Sequence, residues 1–193
     1  MIVNPQAGKK QGLAAAEQAA TLLHQNDIRV ETLISTRPGQ TVHLAEKLDL
    51  SSWDGVLAVG GDGTLFELIN GLLKSHKQIP VPIGQIPVGT GNSFIKDLGI
   101  NTIEDSIEHI VRRNVRKVDL GHFSCQSGEY YFINLLGAGF VSNVAYRARK
   151  YRALGRFSYI LGVIEELVGL KSGRITLEID VQTMPTSECR DLS

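Results

Sequence analysis

Residues 59–71 read Val-Gly-Gly-Asp-Gly-Thr-Leu-Phe-Glu-Leu-Ile-Asn-Gly. Gly60, Gly61 and Gly63 let the backbone turn its N–H groups toward a ligand without obstruction by side chains. A helix expected from Thr64 adds its positive N-terminal end, so the turn suits phosphate. Asp62 is the one carboxylate inside that anion site. An acid at a phosphate site points to Mg²⁺ coordination or proton abstraction, and so to phosphoryl transfer.

Three more loops have suitable chemistry: Asn4-Pro5-Gln6-Ala7-Gly8, Ser35-Thr36-Arg37-Pro38-Gly39-Gln40, and Pro87-Val88-Gly89-Thr90-Gly91-Asn92-Ser93-Phe94. Their hydroxyls and amides suit ribose and phosphate oxygens. Taken singly, each has a plainer reading: Asn-Pro and Pro-Gly are common turn formers, and Asn92 and Ser93 favour a helix cap. All four fall at strand-to-helix junctions, where open α/β sheets collect their ligands. That arrangement favours a nucleotide site. No P-loop, complete dinucleotide fingerprint or Gly-x-Ser-x-Gly elbow is present.

The elements that must position these loops alternate. Strands are expected at Met1–Val3, 28–34, 55–59 and 83–88, with helices at about 13–25, 40–48, from Thr64 onward, 91–97 and 103–113. Leu13, Ala16, Ala20 and Leu23 share one helix face, and Leu65, Leu68, Ile69, Leu72 and Leu73 form a core-facing stripe. A helix near 103–113 buries Ile103, Ile107, Ile110 and Val111. This rhythm predicts a parallel sheet covered by helices. After about residue 115 it changes: strands at Val115–Phe123 and Tyr130–Leu135, helices at roughly 141–153 and 156–171, and an amphipathic strand at Arg174–Gln182 with no evident partner.

The 193 residues carry 20 acidic and 20 basic side chains, a balance that gives no global pull toward nucleic acid or membrane. Cys125 and Cys189 lie outside any metal-ligand spacing and read as unpaired thiols of a reducing cytosol. No signal peptide is evident, and the long uncharged run Tyr130–Tyr146 is too polar and glycine-broken to span a bilayer. The basic run Arg147, Arg149, Lys150, Arg152 and Arg156 reads first as a solvated helix face. Its second reading is contact with anionic headgroups or a substrate phosphate, worth about 1 kcal/mol per charge near an acidic membrane.

The loop motifs together resemble the diacylglycerol kinase catalytic family, which includes bacterial lipid kinases, sphingosine kinases and ceramide kinases. Asn4-Pro5-x-x-Gly8, Gly60-Gly61-Asp62-Gly63-Thr64, Pro87-x-Gly89-Thr90-x-Asn92-x-Phe94, Val118-Asp119-x-Gly121, Phe132-Ile133-Asn134, Gly137-x-Gly139-Phe140 and Leu154-Gly155-x-x-x-Tyr159 stand in the family's order. The resemblance implies a three-layer α/β nucleotide-binding domain similar to those of NAD kinase and phosphofructokinase, here residues 1–118. A β-rich lipid-acceptor domain begins at 119 and is incomplete at 193, short of the acidic and metal-binding residues expected beyond it.

The resemblance also implies ATP and Mg²⁺ as cofactors and a lipid hydroxyl as acceptor, diacylglycerol or sphingoid-type. By position, Asn4, Pro5, Gly8, Ser35, the Gly60–Leu65 turn, Gly89, Thr90 and Asn92 meet nucleotide. Asp62 organises Mg²⁺ and serves catalysis. Phe66 departs from the family, which has Asn there. The implied setting is cytoplasmic, peripheral at the membrane. NAD kinase, which shares Gly-Gly-Asp-Gly-Thr, and a non-catalytic nucleotide-binding fragment are the alternatives.

Overall fold

The computed structural model describes residues 1–89, 91–134, 163, 165, 177–179 and 182–184. The chain divides into two compact units, Met1–Leu135 and Leu136–Ser193. In the first, β1 (Ile2–Val3) leads through one turn, α1 (Ala7–Lys10), into α2 (Gly12–His24). Then come β2 (Leu33–Ile34), α3 (Gln40–Glu46), β3 (Val56–Gly60) and α4 (Asp62–Ser75). β4 (Ile83–Pro87), α5 (Ser93–Asp97) and α6 (Ile103–Val111) complete the alternation.

The four strands form one parallel sheet in the order β2-β1-β3-β4. Side-chain alternation sorts the strands between two cores. Ile2, Val56 and Ala58 face α3 and α4, packing with Ala45, Leu65, Leu68, Ile69 and Leu72. Val3, Val59 and Ile86 face the other way, onto Ala15, Ala16, Ala19 and Leu23 of α2 and Ile107 of α6. The sheet is therefore the middle of three layers, as its βα rhythm predicts.

Several boundaries differ from the sequence expectation. The strand expected over 28–34 narrows to Leu33–Ile34, because its only neighbour, β1, offers two residues for pairing. Leu13 is exposed; α2 turns Ala15, Ala16, Ala19 and Leu23 inward instead. Val111, expected in the core, is exposed at the end of α6. α6 starts at a capping box in which Thr102 and Asp105 exchange hydrogen bonds, satisfying two donors of the first turn.

Past residue 115 the strands shift. Val115, Val118 and Leu120 are exposed. β5 (Gly121–Cys125) and β6 (Gly128–Phe132) form an antiparallel hairpin about a turn at Gln126-Ser127. Asn70 of α4 joins that hairpin to the helical layer: its Nδ2 donates to the Tyr131 carbonyl at 2.8 Å, and the Tyr131 N–H donates to its Oδ1 at 2.9 Å. Phe66, one turn earlier, stacks on Tyr130 with ring centroids 6.3 Å apart.

In the second unit, β7 (Leu177–Ile179) pairs antiparallel with β8 (Gln182–Met184), so the strand expected over 174–182 is instead a short hairpin with its partner just downstream. Val163 and Glu165 are helical. The remainder of the helices expected over 141–153 and 156–171 lies outside the described residues, as do Thr90, the basic run from Arg147 to Arg156 and the Gly137–Phe140 and Leu154–Tyr159 motifs.

Candidate functional site

Register brings the glycine loops to one edge. Val3 pairs with Val59, Val59 with Ile86, and Gly60 with Pro87, so β1, β3 and β4 end in one row. The chain leaves β1 toward β2 on one side and returns to β3 on the other. That reversal makes the crevice between β1 and β3 the topological switch point, the usual ligand position of such sheets. Asn4 and the Gly60 turn flank it. The Asn4 N–H donates to the Val59 carbonyl at 3.1 Å, and its Nδ2 donates to Thr64 Oγ1 at 3.3 Å.

The loop after β1 has a strained backbone. Gly8, Lys9 and Lys10 are successively left-handed, with φ of 56°, 60° and 72°. For the two lysines that conformation costs about 1–2 kcal/mol each, and such strain clusters where a ligand is held. Gly8 packs onto the third loop: a Cβ there would sit 2.8 Å from Val88 Cγ1. Gly61 packs equally closely on the same loop, where an added Cβ would lie 2.4 Å from the Gly91 carbonyl oxygen. Three junctions thus meet backbone to backbone.

Asp62 stands at the first residue of α4, two residues earlier than the helix start expected from sequence, with Gly61 as the cap. Its N–H donates to the Gly91 carbonyl at 2.7 Å. Its carboxylate accepts from the Ser93 N–H at 2.8 Å and from the Phe94 N–H at 3.4 Å. Asp62 therefore caps α5 across the site. Asn92, at the cap position itself, turns its side chain inward and makes no capping bond. The Thr64 and Leu65 amides both donate to the Gly61 carbonyl, closing the helix, so that among the described residues only the Gly61 and Gly63 amides of the turn have no acceptor.

Beneath the turn lies a buried polar pair. Gln85 of β4 and Asn92 are 4% and 1% exposed. Gln85 Nε2 donates to the Gly60 carbonyl at 3.1 Å and to Asn92 Oδ1 at 3.3 Å, and Asn92 Nδ2 donates to the Gly89 carbonyl at 2.8 Å. Among the remaining candidates, Pro5 follows Asn4 in a turn where the Gln6 N–H donates to Asn4 Oδ1 at 3.0 Å. Ser35 is buried, and its hydroxyl donates to the Val3 carbonyl at 3.1 Å. Leu65 has its side chain in the core, and Gly63 is exposed. Among the described residues no group of three or more His, Cys, Asp or Glu side chains could hold a metal ion.

The model of the diacylglycerol kinase catalytic domain matches residues 1–123. The chain belongs to the diacylglycerol kinase catalytic domain family. It is 30% identical over 184 residues to a diacylglycerol kinase of Bacillus subtilis, covering 93% of this chain and 59% of that protein. It is 27% identical over 186 residues to sphingosine kinase 2 of Arabidopsis thaliana, covering 91% and 39% respectively. A crystal structure of a diacylglycerol kinase from Bacillus anthracis superposes with a TM-score of 0.65 over 96% of this chain and 59% of that one, at 24% identity, and so shares the fold. The chain spans no more than about three-fifths of the length of these relatives.

Within this diacylglycerol kinase family chain, sequence reasoning passed over Gln85, Asn70, Lys9 and Lys10. Gln85 carried a signal, a polar side chain inside the otherwise apolar strand Ile83–Pro87. Asn70 carried the same signal inside the α4 stripe. Nothing in the types of Lys9 and Lys10 announces a left-handed backbone.

Proposed function

We propose that this chain carries the ATP-binding part of a lipid kinase, which moves the γ-phosphoryl group of ATP to a lipid hydroxyl. The observation that carries this reading is the meeting of the Gly8, Gly61, Gly89 and Gly91 backbones at the ends of parallel strands. Over Gly63 and Gly91 the space is open, since an added Cβ at either would meet nothing within 4 Å, and phosphates could lie there. The α4 N-terminus would supply positive potential there.

Mg²⁺ enters with the nucleotide. It retains several waters and takes only one or two carboxylates plus phosphate oxygens, so a lone acid suffices. Two backbone amides use part of the Asp62 carboxylate's acceptor capacity, and about four lone-pair directions exist, so Asp62 fits as that ligand. The metal would neutralise charge developing on the transferred group. Positioning and electrostatics supply most of the catalysis of such transfers.

The geometry supports the following roles. Gly61 and Gly63 would donate amides to phosphate oxygens, with Gly8 and Gly89 lining the same groove. Asn4 holds Thr64 and so fixes the turn against β1. Asn92 acts from below, through the Gly89 carbonyl. Ser35, whose hydroxyl serves β1, would meet nucleotide only through a remaining lone pair or its backbone. Diacylglycerol or a sphingoid-type lipid is the acceptor we expect. Contact of Arg147, Arg149, Lys150 and Arg152 with an anionic surface would bring the enzyme to that lipid. Among the described residues no helix is long and apolar enough to cross a membrane.

The test is incubation with Mg·ATP and a panel of lipids in mixed micelles, with the Asp62→Asn variant alongside. Transfer of labelled phosphate to one lipid class, lost in the variant, supports the reading. Undiminished transfer in the variant removes Asp62 from the mechanism.

A further inference from the structure

We infer that Gln85 is a positioning residue for the nucleotide loops, a buried side chain that fixes the Gly60 turn relative to Gly89 and Asn92 from beneath. The inference rests on the nucleotide-site reading above. Both N–H bonds of its amide are spent: one on the Gly60 carbonyl at 3.1 Å, the other on Asn92 Oδ1 at 3.3 Å. Asn92 passes the constraint on by donating to the Gly89 carbonyl at 2.8 Å.

The opposite end of the same amide has a different fate. Gln85 Oε1 is buried and has no hydrogen-bond partner among the described residues. A buried acceptor left unpaired is a cost to folding. An apolar side chain of the same length would avoid it, and the strand around Gln85 is otherwise apolar. The feature that distinguishes Gln85 from such a side chain is the pair of donors beneath the turn. Glutamate cannot replace it, because an ionised carboxylate would face two acceptor oxygens. Methionine can replace its volume but not its hydrogen bonds.

The consequence reaches the proposed phosphate donors. Gly61 and Asp62 follow directly on the carbonyl that Gln85 holds, and the Asp62 N–H reaches Gly91, next to Asn92. Without the amide of Gln85, the two loops remain joined only through their own backbone and the Asp62 cap. The phosphate end of a nucleotide should sense that loss, and the nucleoside end should not.

The experiment compares the parent chain with Gln85→Met and Gln85→Leu. Amide hydrogen exchange is measured at Asp62 and Val59 without nucleotide, and ATP and AMP are titrated calorimetrically with Mg²⁺ present. The expected result is exchange at Asp62 faster by about tenfold or more, the effect of losing the two hydrogen bonds of the Gln85 amide, with Val59 unchanged. ATP affinity should fall by a similar factor of about ten while AMP affinity falls much less. Unchanged exchange at Asp62 in a folded variant overturns the inference, and so does unfolding of both variants, which would make Gln85 a plain stability residue. Equal losses for ATP and AMP also overturn it. A parent chain that binds no ATP refutes the nucleotide reading separately, since the exchange experiment needs no ligand.

Discussion

Gly8 and Gly89 approach so closely that neither position can carry a side chain. A Cβ built on Gly8 would lie 2.9 Å from the Gly89 nitrogen, and one built on Gly89 would lie 2.8 Å from the Gly8 Cα. Both backbones are left-handed, with φ of 56° and 85°. Two loops separated by most of the α/β unit thus share one van der Waals surface.

Alanine at either position should therefore separate the loops. Gly89→Ala costs about 1–2 kcal/mol from its left-handed backbone alone. It also moves the first loop. Urea unfolding should show the stability loss, and titration with Mg·ATP should show binding weakened by about tenfold or more, the factor that 1.4 kcal/mol of lost contact gives. Wild-type affinity in Gly89→Ala would mean that the loops do not act together.

The loop positions were legible in the sequence because they depend on local features: glycines after apolar runs, and helices with a 3.6-residue period. The common edge was legible too, since the βα rhythm requires a parallel sheet. The destinations of particular side chains were not. Asn92 has the residue type of a helix cap, yet Asp62, 30 positions earlier, performs that capping while Asn92 turns inward to Gln85. Only the meeting of the α4 and α5 N-termini decides between the two. The strand expected over 28–34 failed for a related reason: pairing length depends on the neighbouring strand, which β-propensity does not encode.

Asn70 presents a second tertiary joint. Its reciprocal bonds with Tyr131 imitate one rung of a sheet between α4 and β6. Asn70→Ala should destabilise the fold by about 2–4 kcal/mol, for three lost bonds at a mostly buried site: two with the Tyr131 backbone and one to the Phe66 carbonyl. Exchange of the Tyr131 amide should accelerate while β3 amides stay protected. If Tyr131 exchanges as in the parent, the hairpin is held by the aromatic contacts of Phe66 instead.

The α6 cap gives a pH signature. Backbone hydrogen bonds from Asn101 and Thr102 hold the Asp105 carboxyl below its ordinary value of 3.8. The native state thus favours the ionised form. Its contribution is fully present above pH 3.8 and is lost as pH falls through the lower, folded value. Asp105→Asn should lower the thermal midpoint at pH 7, and the gap between variant and parent should narrow as the pH is taken below that value. A gap independent of pH would show that the charge contributes nothing beyond the hydrogen bonds.

The central claim is that amides from three strand ends surround a triphosphate. Titrating Mg·ATP into the ¹⁵N-labelled chain tests it most directly. The account predicts that the largest shifts cluster at Gly8, Gly61–Gly63 and Gly89–Ser93, with Asp62→Asn weakening the response. Shifts centred elsewhere, for instance in the groove between α2 and α6 lined by Leu22, Ile107 and Val111, would contradict it, as would no response at millimolar nucleotide.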